Sequence, residues 1–132
     1  MRDWCLILKM PAQNQNMHDA DLIIKQLHLP PSNTLNLSIS PLLKKALKIL
    51  GMNKNSWEYQ IRKGNLAARI RMMLLYDLAK KKQALVCGTE NRSECLLGYY
   101  TRFGDAASDL EPIKHLYKTQ VYQLAEYLGV PK

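Results

Sequence analysis

Apolar and polar positions along this chain fall into two alternating periods, and each change of period marks an element. Trp4-Cys5-Leu6-Ile7-Leu8 is a short apolar run stopped by Pro11, as a buried strand reads. The polar stretch Gln13-Asn14-Gln15-Asn16 follows. Asn16 suits the N-cap of a helix over Asp19 to Leu27, with Ala20, Ile23, Ile24 and Leu27 turned inward. Asp19 and Asp21 would then lie in its first turn and complement the helix dipole. Pro30-Pro31 breaks the chain, after which Leu35, Leu37 and Ile39 alternate with polar residues as in a strand. Strand, helix and strand in this order predict a βαβ unit.

Pro41 fits the first turn of a helix over Leu42 to Leu50 that Gly51 closes, and Met52 to Ser56 reads as a flexible surface loop. From Trp57 to Lys82 the apolar positions Leu66, Ala67, Ile70, Met73, Leu74 and Ala79 keep helical spacing. Gly64 should mark a break or a close approach there, and Met72 and Met73 should fill core. Ala84 to Cys87 is a second apolar run, ended by Gly88, which predicts a strand buried on both faces of a parallel sheet. Asn91 and Glu94 have the spacing of a capping box, so a helix should begin there and carry Cys95, Leu96 and Leu97 toward a core. A last helix places Val121, Leu124, Ala125 and Leu128 on one face and ends at Gly129 and Pro131. Strands alternating with helices predict an α/β fold, a parallel sheet with flanking helices and right-handed crossovers, in a single domain over 1–132. The turn after Cys87 would lie at the carboxyl edge of that sheet, where a helix N-terminus offers N–H groups to an anion.

Composition changes this picture little. The chain of 132 residues is 47% hydrophobic and 23% charged, ordinary for one globular domain. Nineteen Lys and Arg against eleven Asp and Glu give +8, which favours an anionic partner without choosing between nucleotide phosphate and nucleic acid. Lys80-Lys81-Lys82 ends a predicted helix and suits its C-terminal dipole. Cys5, Cys87 and Cys95 show neither disulfide nor zinc spacing, and His18, His28 and His115 are scattered, fitting surface or helix-end positions better than a metal site. No apolar run has the length of a signal peptide core or a membrane span, so a cytoplasmic location is expected.

The segment Gly88-Thr89-Glu90-Asn91-Arg92-Ser93-Glu94, followed by Gly98-Tyr99-Tyr100-Thr101-Arg102-Phe103-Gly104-Asp105, Asp109, Pro112, Leu116-Tyr117-Lys118-Thr119 and Leu128-Gly129-Val130-Pro131, resembles the second half of the NAD synthetase catalytic domain. A weaker likeness runs upstream through Gly64-Asn65-Leu66-Ala67-Ala68-Arg69-Ile70-Arg71. Ala106-Ala107 depart from glycines usual in that family, and Arg102 from a lysine.

The resemblance implies an adenine-nucleotide alpha-hydrolase-like (Rossmann-like) fold and an ammonia-dependent ligase: ATP adenylates the carboxylate of deamido-NAD, and ammonia converts the acyl adenylate to NAD. By the same resemblance Thr89 and Lys118 bind ATP, with Lys118 catalytic, Arg69, Arg102 and Asp109 bind deamido-NAD, and Glu94 binds Mg²⁺. It also implies a homodimer. Plainer alternatives stand beside all of these but Arg102: Glu94 as a cap, Thr89 and Asp109 as turn residues, Arg69 and Lys118 as solvated cations.

The family's Ser-Gly-Gly-x-Asp-Ser phosphate loop does not occur in this sequence. The expectation is therefore an incomplete NAD synthetase domain that is inactive alone. A catalytically dead nucleotide-binding or dimerisation module is the alternative, and a basic nucleic-acid-binding domain ranks last because no such motif is present.

Overall fold

The structure, a computed structural model, describes residues 5–9 and 14–131, with side chains from residue 18 onward. Strand β1 (Cys5–Lys9) and strand β2 (Thr34–Ser38) pair in parallel, with Leu6 opposite Leu35 and Leu8 opposite Leu37. A parallel pair needs a crossover, and helix α1 (Asn14–Gln26) provides it. The βαβ unit is as the sequence predicts. Trp4, Pro11 and Gln13 lie outside the described residues.

Helix α1 begins at Asn14, earlier than expected, so its first turn has no acidic residue and Asp19 and Asp21 fall beyond it. Its end is closed by His28 at φ 50, with the Leu29 N–H donating to the Ile24 carbonyl at 3.1 Å. This is the Schellman pattern, with histidine in glycine's usual place.

Helix α2 (Ser40–Ile49) carries Pro41 in its first turn, and Gly51 follows it at φ 56. Helix α3 (Tyr59–Lys82) is the longest element. The core lies between these two helices, where Ile39, Leu43, Ala67 and Ile70 are buried and Ala46, Leu47, Leu66 and Leu74 pack against them. Two expectations for α3 need correction. Gly64 neither breaks the helix nor allows a close approach, because a Cβ there would meet nothing within 4 Å. Met72 is buried but Met73 is 58% exposed, since adjacent helical positions point about 100° apart and only one can meet the core.

The run after α3 also differs from its expected form. Among the described residues Ala84 to Cys87 makes one isolated parallel bridge, between Cys87 and Leu110, and only Val86 is buried while Leu85 is 68% exposed. One face is covered rather than two. Helices α4 (Arg92–Leu97) and α5 (Lys118–Tyr127) complete the chain. Val121 and Ala125 of α5 are half-buried, while Leu124 and Leu128 on the same expected face are exposed. The Gln26 side chain donates to the Gly129 carbonyl at 2.8 Å and ties the ends of α1 and α5 together.

Candidate active site

The site grows from the turn between Cys87 and α4. The Gly88 N–H donates to the Leu110 carbonyl at 2.8 Å. That approach leaves no room for a side chain, because a Cβ at Gly88 would lie 2.6 Å from Ser108 Oγ and 2.8 Å from Ser108 Cβ. Asn91 is buried and caps α4: its Oδ1 accepts from the Glu94 N–H at 3.1 Å, and Glu94 Oε2 accepts from the Asn91 N–H at 3.1 Å. The capping box is as expected. The apolar face is not, since Cys95, Leu96 and Leu97 all face solvent. The short helix is held by hydrogen bonds at its start rather than by an apolar stripe.

Helix α5 is joined to that start at several points. The Lys118 N–H donates to Ser93 Oγ at 3.1 Å, Lys118 Nζ donates to Glu94 Oε1 at 3.2 Å, and the Arg92 N–H donates to the Leu116 carbonyl at 2.8 Å. The Arg92 guanidinium also lies 5.0 Å from the Tyr117 ring centre. Lys118 occupies the first helical position, where the dipole opposes a cation, and Glu94 compensates. Burial opposes the charge on Glu94, but the Asn91 N–H and Lys118 outweigh it and hold the carboxyl below its ordinary range. Thr89 is exposed in the same turn. Glu94 and Lys118 are thus in direct contact, and Thr89 lies in the turn that leads into α4.

Arg69 and Arg102 are also brought together, since Arg69 Nε donates to the Arg102 carbonyl at 3.1 Å. Arg102 lies in a four-residue turn closed by the Gly104 N–H on the Thr101 carbonyl at 2.9 Å. Asp109 has a structural partner instead: its Oδ2 accepts the Val86 N–H at 2.8 Å. Among the described residues no hydrogen bond or ion pair joins Asp109 to either arginine.

Glu90 is the residue that sequence reasoning missed. It is 7% exposed, and its Oε1 has no hydrogen-bond partner among the described residues. Burial pushes its carboxyl above the ordinary value, and the carboxylates of Asp105 and Glu111 add to this while Lys114 opposes it. Nothing in the local string Thr89-Glu90-Asn91 signals that burial, which depends on loops well downstream.

Among the described residues no group of three His, Cys, Asp or Glu side chains could cage a metal. Glu94 nevertheless suits Mg²⁺, which takes one or two carboxylates and completes its shell with water and phosphate. Its ionised carboxylate is half-buried, and each oxygen has one protein donor, leaving acceptor capacity on both.

Solved structures share this architecture. An NMN synthetase from Francisella tularensis superposes with a TM-score of 0.84 at 38% identity, covering 96% of this chain and 50% of that one. The NH3-dependent NAD synthetase of Campylobacter jejuni, in complex with the nitrate ion, gives 0.83 at 38% identity, covering 96% and 52%. Fold and site together define an α/β protein of the adenine-nucleotide alpha-hydrolase-like class. The family described as NAD synthase matches residues 2–132. An NH(3)-dependent NAD(+) synthetase from Thermococcus sibiricus is 41% identical over 125 residues, 94% of this chain and 46% of that protein. The chain belongs to the NAD synthase family, and it spans about half the length of the relatives it matches.

Proposed function

We propose that the chain carries part of the site of an ammonia-dependent NAD synthase. A carboxylate oxygen of deamido-NAD attacks the α-phosphorus of ATP and pyrophosphate leaves. Ammonia then attacks the acyl carbon, AMP departs, and the nitrogen loses a proton to give the amide of NAD. The observation that carries this reading is the Lys118–Glu94 pair at 3.2 Å, which sets a cation and an ionised carboxylate side by side at a helix start.

In this reading Lys118 is catalytic, with its ammonium toward the departing pyrophosphate, and the Thr89 hydroxyl bonds ATP. Glu94 would hold Mg²⁺, which when bound offsets phosphate charge. The forked donors of Arg69 and Arg102 suit the phosphates or carboxylate of deamido-NAD, and Asp109 keeps Oδ1 for a hydroxyl or amide. We place the protein in the cytoplasm, where exposed free thiols such as Cys87 and Cys95 stay reduced, and infer that it acts as a homodimer.

The test is NAD formation from deamido-NAD, ATP, Mg²⁺ and ammonium, by this chain alone and by a chimera that adds the segment with a Ser-Gly-Gly-x-Asp-Ser loop. The chimera should turn over and the bare chain should not. Within the chimera, Glu94→Gln should lower turnover by at least roughly 10- to 100-fold, the loss that follows when even an outer partner of a metal ligand is removed. Its melting temperature should fall only modestly, because the amide oxygen can still accept the Asn91 N–H while the charge pairing with the partly exposed Lys118 is lost. Unchanged turnover at limiting Mg²⁺ would remove the metal assignment. The equal likeness to an NMN synthetase supports a second reading in which the mononucleotide is the product. Nicotinate mononucleotide run in parallel in the same assay separates the two.

A further inference from the structure

The turn Thr101 to Gly104 is held from several directions. Thr101 Oγ1 donates to Asn65 Oδ1 at 2.9 Å, and both oxygens of Asp105 accept the Thr101 N–H, at 3.0 and 3.2 Å. Gly104 is buried so closely that an added Cβ would lie 3.0 Å from Ala68 Cβ. The Arg102 carbonyl is fixed by Arg69. These anchors leave Phe103 in the left-handed region at φ 61. It is the third residue of the turn, a place where positive φ calls for glycine or asparagine.

An aromatic residue there is strained, and burial does not compensate, because Phe103 is 68% exposed. What the ring does have is the Arg102 guanidinium, 4.7 Å from its centre. A planar guanidinium stacks on an aromatic face, which an ammonium cannot do in the same way. Arg102 is a long side chain in an exposed loop, and without a support it would sample many rotamers before binding an anion.

We propose that Phe103 is a positioning residue, a platform that pre-orients the Arg102 guanidinium for an anionic group of the dinucleotide substrate. This rests on the assignment of Arg102 to deamido-NAD given above. Such a platform gains affinity by reducing the ordering that binding requires. Phe103→Gly should therefore do two opposite things: relax the turn, raising the melting temperature, and weaken ligand binding by about two- to fivefold, the scale of an exposed cation–π contact. Phe103→Tyr keeps the ring and should keep wild-type affinity.

The experiment is nuclear magnetic resonance of the full chain, following the Arg102 side-chain signals without ligand and during titration with deamido-NAD. An upfield ring-current shift of the Arg102 protons in the wild type and Phe103→Tyr, lost in Phe103→Gly together with the affinity change, supports the proposal. Arg102 signals unmoved by Phe103→Gly overturn it. Equal affinity in the wild type and Phe103→Gly overturns the proposal alone. A wild-type Arg102 signal that ignores deamido-NAD overturns the parent assignment of Arg102 and the proposal with it.

Discussion

Burial opposes ionisation at both Glu90 and Glu94, yet the two carboxyls shift in opposite directions because only Glu94 has the Asn91 N–H and Lys118 to overcome it. Their effects on stability therefore oppose each other. With its folded value below the ordinary 4.5, Glu94 stabilises the fold above that pH, and the contribution is lost as pH falls through the lower folded value. Glu90 is raised, so its contribution is present below 4.5 and is lost as pH rises through its folded value. Glu90→Gln should consequently raise the melting temperature at pH 7 and do little at pH 4. A lower melting temperature at pH 7 would show that a charge is wanted at that position. The sequence made Glu94 legible because its cap is a contact within four residues. Glu90 was not legible, since the groups acting on it include Asp105 and Glu111, and a local pattern does not reveal which loops fold over which carboxylate.

For whole elements, spacing identified each of α1 to α5, and the errors concern where α1 begins, the expected break at Gly64, the strand expected at Ala84 to Cys87 and which helix faces are covered. Helix α3 follows its apolar period through Leu66, Ala67 and Ile70, yet the helix continues through Gly64 with open space beside it. A Gly64→Ala change should therefore stabilise the chain by about 0.5–1 kcal/mol, because it removes backbone freedom from the unfolded chain without a clash. A shift of the urea midpoint at constant slope would measure this, and a loss of stability would mean that something packs on that surface. Leu85, Leu96 and Leu97 show the limit of reading apolar runs. Their composition says that they can be buried, but a second layer must be present to bury them, and among the described residues none covers them.

Across the whole molecule, the parallel βαβ unit was legible because period and punctuation are local, and so was the start of α4, where Glu94 meets Lys118. Asp109 was harder to place, because its hydrogen bond to the Val86 N–H spans 23 positions and no spacing rule reaches that far. The contacts between α4 and α5 have a further consequence for how the molecule opens. Six residues cannot sustain a helix in water, where isolated helices need about 12–15. Helix α4 persists because Arg92 is held by Leu116, just before α5, and Ser93 and Glu94 by Lys118, its first residue. The two helices should therefore exchange their amide protons as one unit, with α4 protected only while α5 remains docked. Ser93→Ala, which removes the acceptor of the Lys118 N–H, should speed exchange in both helices together and leave α2 and α3 at their original rates. Faster exchange confined to α4 would mean that each helix opens independently.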